Sequence, residues 1–134
     1  LKLSIGEASE ILACPASTIR YYEKEGLLPL IQRDQSGKRY FTQTDLDWIK
    51  LITCFRATGM KLVDLKKIVE LSLQGEETIP ERKKILKEHQ KELHRKQTEL
   101  NKAFEAILHK LNIYDHIEQE RITSPNGIYQ GDNC

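Results

Sequence analysis

The 134-residue sequence predicts a mainly α-helical fold, in which short helices and one small β hairpin precede a single long C-terminal helix. Three observations predict it. Apolar residues recur at helical spacing through most of the first 75 positions, one stretch changes to two short runs around a glycine-bearing turn, and from Ile79 apolar residues return at every seventh position.

Ser4 and Glu7 have the spacing of a capping box, so a helix opens there and carries Ala8, Ile11 and Leu12 on its inner face. The pattern breaks at Ala13 and Cys14. Pro15, whose ring fixes φ, suits the first turn of a second helix. That helix runs to about Glu25 and stops at Gly26, which takes the left-handed position while Leu27 folds back as its apolar contact. Two short helices joined by a tight turn make a helix-turn-helix.

Beyond Pro29, the runs Ile31 to Arg33 and Arg39 to Phe41 flank Asp34-Gln35-Ser36-Gly37, whose Asp and Gly suit a tight turn. This is a hairpin, or wing, and the first 75 residues read as a winged helix-turn-helix domain. Thr42 and Asp45 repeat the capping box and open a third helix with Leu46, Trp48, Ile49, Ile52 and Phe55, ending at Gly59. A fourth, with Leu62, Leu65, Ile68, Val69 and Leu73, runs to Gly75.

Ile79, Leu86, Leu93, Leu100 and Ile107 then form a heptad seam. At the neighbouring seam position Lys83, Gln90 and Gln97 give way to Phe104 and Leu111, so the later half is greasier. A helix from Ile79 to Ile113 is about 50 Å long at 1.5 Å per residue. The preceding domain is too small to cover it, so residues 78–113 read as a dimerisation helix and residues 114–134 as a tail.

Composition excludes more than it identifies. Charged residues make up 31% of the chain and the net charge is +1. Residues 1–75 hold 11 basic and 9 acidic side chains against 10 and 11 in the rest, too small an asymmetry to mark a nucleic-acid binder. No run approaches the ~20 apolar residues of a membrane span, and no signal sequence opens the chain, which begins at Leu1. A cytoplasmic protein without a membrane partner is expected. The three cysteines, Cys14, Cys54 and Cys134, are far apart and read as reduced thiols. His89, His94, His109 and His116 lack the four-residue spacing of a shared metal face. No metal, cofactor or catalytic constellation is expected.

On the second helix Ala16 and Ile19 face inward, leaving Ser17, Thr18, Tyr21 and Lys24 on an outward stripe with Arg20 close by. Hydroxyls, an aromatic and cations suit a major groove and its phosphates; a plain solvated face has the same composition. Arg33, Lys38, Arg39 and Tyr40 cluster at the ends of the wing, where they suit a phosphate backbone or simply a solvated turn.

The order of these parts narrows the choice. Thr18-Ile19-Arg20-Tyr21-Tyr22-Glu23, Gly26-Leu27-Leu28-Pro29, Arg33 to Gly37, Arg39-Tyr40 and Arg56-Ala57-Thr58-Gly59-Met60 together resemble the MerR family of transcription regulators over about residues 2–73. Pro15 and Lys61 depart from the resemblance, standing where a capping Ser or Asn and a capping Ser are usual.

The resemblance implies sequence-specific binding of a palindromic promoter operator in double-stranded DNA. Ser17, Thr18, Arg20, Tyr21 and Lys24 would lie at the major groove, Arg33, Lys38, Arg39 and Tyr40 on the wing, and Lys61 in a further contact at the Gly59-to-Lys61 turn. It implies a homodimer held by antiparallel C-terminal helices, with Ile79, Leu86, Leu93, Leu100, Phe104, Ile107 and Leu111 at the interface, and activation by untwisting the operator for RNA polymerase. Metal-sensing relatives carry paired thiols after the long helix, iron–sulfur sensors need about four clustered cysteines, and drug-binding relatives carry a large extra domain; none of these is expected here. The stretch around Cys54 resembles the aldehyde- and electrophile-responsive branch, which makes Cys54 the candidate effector thiol, with Lys50 one turn before it. A buried structural cysteine is the plainer reading. From a different class comes a coiled-coil adaptor that binds other proteins and senses no effector; salt-dependent DNA binding separates the two.

Overall fold

The computed structural model describes residues 2–123 and divides the chain into two units, Leu1–Gln90 and Lys91–Cys134. In chain order the elements are α1 (Ile5–Leu12), α2 (Ala16–Lys24), β1 (Gln32–Arg33), β2 (Arg39–Tyr40), α3 (Gln43–Ala57), α4 (Leu62–Gln74), a 3-10 turn (Glu76–Thr78) and α5 (Ile79–Thr123).

Both expected capping boxes form. Ser4 Oγ accepts from the Glu7 amide at 3.1 Å and Glu7 accepts from the Ser4 amide at 3.0 Å. At α3, Asp45 accepts from the Thr42 amide at 2.9 Å and Thr42 Oγ1 from the Asp45 amide at 3.4 Å. Pro15 stands one residue earlier than expected, at the N-cap of α2, with φ −56° and ψ 141°; its extended ψ keeps it outside the helix.

Three helices end in the same reverse turn. A left-handed residue stands at Ala13 (φ 50°), Gly26 (φ 80°) and Gly59 (φ 96°). The next amide then reaches back to close the helix: Cys14 to Ser9 O at 3.1 Å, Leu27 to Tyr22 O at 2.9 Å, Met60 to Phe55 O at 2.9 Å. Each turn drives its following side chain, Cys14, Leu27 or Met60, into the core. Around these anchors pack Ile19, Phe41, Ile49, Ile52 and Leu65, all fully buried.

The wing is smaller than the sequence predicts. Its strands pair antiparallel in the register Gln32↔Tyr40 and Arg33↔Arg39, and Ile31 and Phe41 fall outside them. Phe41 instead exchanges two backbone hydrogen bonds with Leu3, at 2.8 and 2.9 Å, which ties the wing's exit to the N-terminus. Trp48 Nε1 donates to Leu27 O at 2.8 Å, fastening α3 to the end of the helix-turn-helix.

Two apolar residues expected inside are outside. Ile11 is 62% exposed because α1 turns only its Ala8 and Leu12 side to the core. On α4, Leu71 is buried and Leu73 exposed. The chain doubles back over the Leu71 side at the 3-10 turn, where Thr78 Oγ1 donates to Leu71 O (2.6 Å) and Gly75 O (2.8 Å). Arg82 completes this joint, its Nε donating to Thr78 Oγ1 and its Nη2 to Gly75 O, each at 3.0 Å.

The first unit reaches Gln90 because the start of α5 packs on it. Ile85 lies against the core. The His89 ring meets Phe55 edge-on with centroids 6.2 Å apart, and its Nε2 is 2.9 Å from Thr58 Oγ1. In the second unit α5 continues to Thr123, ten residues past the expected end at Ile113, and there Arg95 bridges Glu92 and Glu99 along one face. Among the described residues no helix is long and apolar enough to cross a membrane.

Ala13 is the one described non-glycine residue at positive φ, a conformation that costs an L-residue about 1–2 kcal/mol. Glycine relieves that cost but loses more backbone entropy on folding, about 0.5–1 kcal/mol. Ala13→Gly is expected to raise stability by up to about 1 kcal/mol, read as a higher denaturant midpoint at unchanged slope. An unchanged or lower midpoint contradicts this account of the turn.

Candidate nucleic-acid interface

Helix α2 has two unlike sides. Ile19 and Tyr22 are buried, while Ser17, Arg20, Tyr21 and Lys24 are exposed and Thr18 is half-buried. The expected outward stripe is therefore present, with Thr18 at its margin. Neither α2 nor α4 has a side-chain cap, whereas α1 and α3 are capped by their own Ser and Thr. The helix preceded by Pro15 and the helix preceded by Lys61 thus present N-terminal amides that no side chain of their N-cap occupies, an arrangement suited to phosphate oxygens.

The wing is organised by one carboxylate. Asp34 Oδ1 accepts from Ser36 Oγ (2.7 Å), the Ser36 amide (2.9 Å) and the Lys38 amide (3.0 Å). Gly37, at φ 85°, closes the turn, and Arg33 Nη1 donates to Gly37 O at 2.9 Å. Arg33 and Lys38 stay exposed. Tyr40 is half-buried: its hydroxyl donates to Gln32 Oε1 across the strand pair, and the Lys2 ammonium lies 4.6 Å from its ring centroid.

Arg39 is not the solvated wing cation the sequence describes. It is half-buried, and its Nε donates to Glu23 of α2. A second pair joins Glu25, at the end of α2, to Lys66 of α4 at 2.9 Å. Sequence reading missed Glu23, Glu25 and Lys66, because the partners lie 16 and 41 residues apart and no local pattern joins them. These pairs bring the wing and α4 to α2. Lys61 is exposed at the head of α4, after the Gly59 turn, which Arg56 braces by donating from Nη1 to Met60 O at 3.0 Å.

Cys54 is exposed on α3, against the buried structural role that is the plainer expectation for it, and Lys50 is exposed one turn before. Cys14 is buried, and burial raises its thiol pKa above the ordinary value. Cys134 lies outside the described residues. Among the described residues no three His, Cys, Asp or Glu side chains gather as a metal site.

Along α5 the expected interface residues are open in the single chain. Phe104 is 68% and Leu100 59% exposed, Ile107 and Leu111 are also more than half exposed, and Ile79 and Leu86 are exposed to a smaller degree. Leu93 is half-buried.

Residues 3–71 match the family model described as MerR HTH family regulatory protein, and residues 46–109 match one described as MerR, DNA binding. The chain belongs to the MerR family. An uncharacterised HTH-type transcriptional regulator of Haemophilus influenzae is 38% identical to it, over 81% of this chain and 80% of that one. The HTH-type transcriptional regulator AdhR of Bacillus subtilis is 33% identical over 68% of this chain and 65% of its own. Among solved structures, HiNmlR, a MerR family regulator lacking the sensor domain and bound to promoter DNA, superposes with a TM-score of 0.79 at 34% identity, covering 89% of this chain and 94% of that one. This MerR-family chain is accordingly a DNA-binding transcription regulator and not an enzyme.

The wing generates a pH prediction. The hydrogen bond from the Ser36 hydroxyl, followed by that from the Lys38 amide, holds the Asp34 carboxyl below its ordinary pKa. A depressed folded-state pKa means that the turn's stabilisation is complete above the ordinary value of 3.8 and is lost as pH falls through the depressed one. Amide proton shifts of Ser36 and Lys38, followed by NMR, are expected to hold steady down to the ordinary value and to move together below it. A midpoint at or above that value contradicts the arrangement.

Proposed function

We propose that this MerR-family chain binds a palindromic promoter operator as a homodimer and activates transcription by distorting the operator so that RNA polymerase can use it, with the Cys54 thiol as the site of response to aldehydes or related electrophiles. The observation that carries the reading is the pairing of an outward, cation-bearing α2 and wing with an α5 whose apolar seam is exposed in the single chain. HiNmlR, which resembles this chain over most of its length, is bound to promoter DNA, and this supports the DNA partner.

Division of labour at the operator follows from residue type. Ser17, Thr18, Arg20 and Tyr21 reach base edges and the adjoining backbone; Lys24, Arg33, Lys38 and Lys61 neutralise phosphates. A palindrome matches the two-fold symmetry of the dimer. Each copy's seam, Ile79, Leu86, Leu93, Leu100, Phe104, Ile107 and Leu111, is covered by the antiparallel α5 of the other. Replacing Leu93 and Leu100 with Asp places carboxylates without partners in that seam. The double variant is expected to sediment as a monomer where the wild type is a dimer; a monomeric wild type at micromolar concentration removes the dimer.

At Cys54 the reactive species is the thiolate. Its sulfur adds to the aldehyde carbon, a C–S bond forms, and the carbonyl π pair moves to oxygen, which takes up a proton to give a hemithioacetal. Exposure gives the electrophile access. The adduct adds bulk on α3, the element between the wing and α4. It shifts the equilibrium between two dimer arrangements only so far as one tolerates it better. Cys54→Ser is expected to bind DNA as the wild type does and to lose the transcriptional response to aldehydes, while Cys14→Ser and Cys134→Ser respond fully. A full response in Cys54→Ser, or adducts confined to Cys134 by mass spectrometry, contradicts the sensing role. The operator reading, unlike the adaptor reading, requires DNA affinity that falls steeply as salt rises.

A further inference from the structure

We propose that Glu23 of α2 and Glu25 at its C-cap are positioning residues for DNA binding, each clamping a cation of a neighbouring element so that the wing and α4 are held against the helix that reads the groove. The inference rests on the assignment of α2, the wing and the α4 turn to DNA.

Carboxylates on a groove-reading helix are electrostatically misplaced, because each one repels the phosphates that the helix approaches. Both are nonetheless engaged, by cations from different elements. Glu23 accepts from Arg39 Nε of β2, with side chains 23% and 30% exposed. Glu25 accepts from Lys66 Nζ of α4 at 2.9 Å. Arg20 and Lys24 of the same helix stay exposed. The hydrogen bond and the charge of Lys66 hold Glu25 below its ordinary pKa, so it is ionised throughout the neutral range.

Such partly exposed pairs add little to folding stability. Their consequence is geometric. The wing is a pair of two-residue strands, and Arg39–Glu23 is the side-chain tie between it and α2. One N–H of the guanidinium is spent on Glu23, which fixes its plane and leaves its terminal amino groups as donors for a backbone phosphate. Lys66 lies just over a turn after Lys61, so Glu25 sets where the head of α4 stands relative to α2.

The clamp and plain electrostatics predict opposite signs. Glu23→Gln removes a negative charge facing a polyanion, so charge alone strengthens DNA binding. The clamp instead predicts weaker binding to a specific site, because the wing loses its register with α2. The probes are a duplex selected by the wild-type chain from a random pool and a random-sequence duplex of the same length, titrated over a range of salt. For Glu23→Gln the expected results are several-fold weaker binding to the selected duplex, a shallower log–log salt slope, and loss of backbone protection at the wing phosphates alone, with the random duplex bound no more weakly. Glu25→Gln is expected to lose protection at the α4-turn phosphates instead. The double variant Glu23→Gln, Arg39→Gln is expected to bind no more weakly than Arg39→Gln alone, and thermal melting to change little in any of them. Wild-type or tighter binding by Glu23→Gln with the wing protection intact overturns the proposal, as do additive losses in the double variant. Failure of the wild type to select any duplex overturns the DNA assignment with it.

Discussion

The structure depends on one constraint: α1, α2 and α3 must each reverse direction at once and deliver the next apolar side chain to a common core. Three left-handed residues, Ala13, Gly26 and Gly59, satisfy it, and the buried Cys14, Leu27 and Met60 are its product. Every element proposed to approach DNA hangs on those turns. The Ala13 turn sets α1 against α2, the Gly26 turn launches the segment to the wing, and the Gly59 turn places Lys61 at the head of α4. Glycine meets the backbone requirement in two of them. At the first an alanine is held, helped by Ser9 Oγ, which donates to Cys14 O at 2.6 Å.

From that core, function is distributed by tethers of differing strength. Phe41 is bound to Leu3 by two backbone hydrogen bonds and is fully buried, so the root of the wing is part of the core. Its tip is ordered locally by Asp34. Between root and tip the link to α2 is an ion pair, which is directional but weak. The joint between α4 and α5 is built differently, from a buried Thr78 hydroxyl, two backbone carbonyls and a half-buried Arg82, groups that satisfy one another.

How much of this the sequence discloses depends on the range of each interaction. Capping boxes at Ser4 and Thr42 and the stops at Gly26 and Gly59 are local, three or four residues in span, and the expected helices follow from them. The heptad seam is equally legible, being a repeat. Ala13 gives no such signal, since nothing in its type announces a left-handed backbone. The inversion of Leu71 and Leu73 depends on Thr78 folding back over one side of α4, and the ion pairs of Glu23 and Glu25 depend on tertiary approach across 16 and 41 residues. Arg39 shows the limit most plainly: its type and position on the wing are right for a phosphate, yet its Nε is committed within the protein. For Cys54 the sequence supplied a resemblance, and exposure on α3 supplies access.

The central claim, that two copies of this chain read one operator through α2 and the wing, is tested most directly by the stoichiometry and footprint of a single complex. Sedimentation of the protein on a duplex that it has selected, combined with hydroxyl-radical footprinting, is predicted to give two chains per duplex and two protected half-sites related by symmetry, each with flanking protection from the wing. One chain per duplex, or a single unbroken patch of protection, contradicts it.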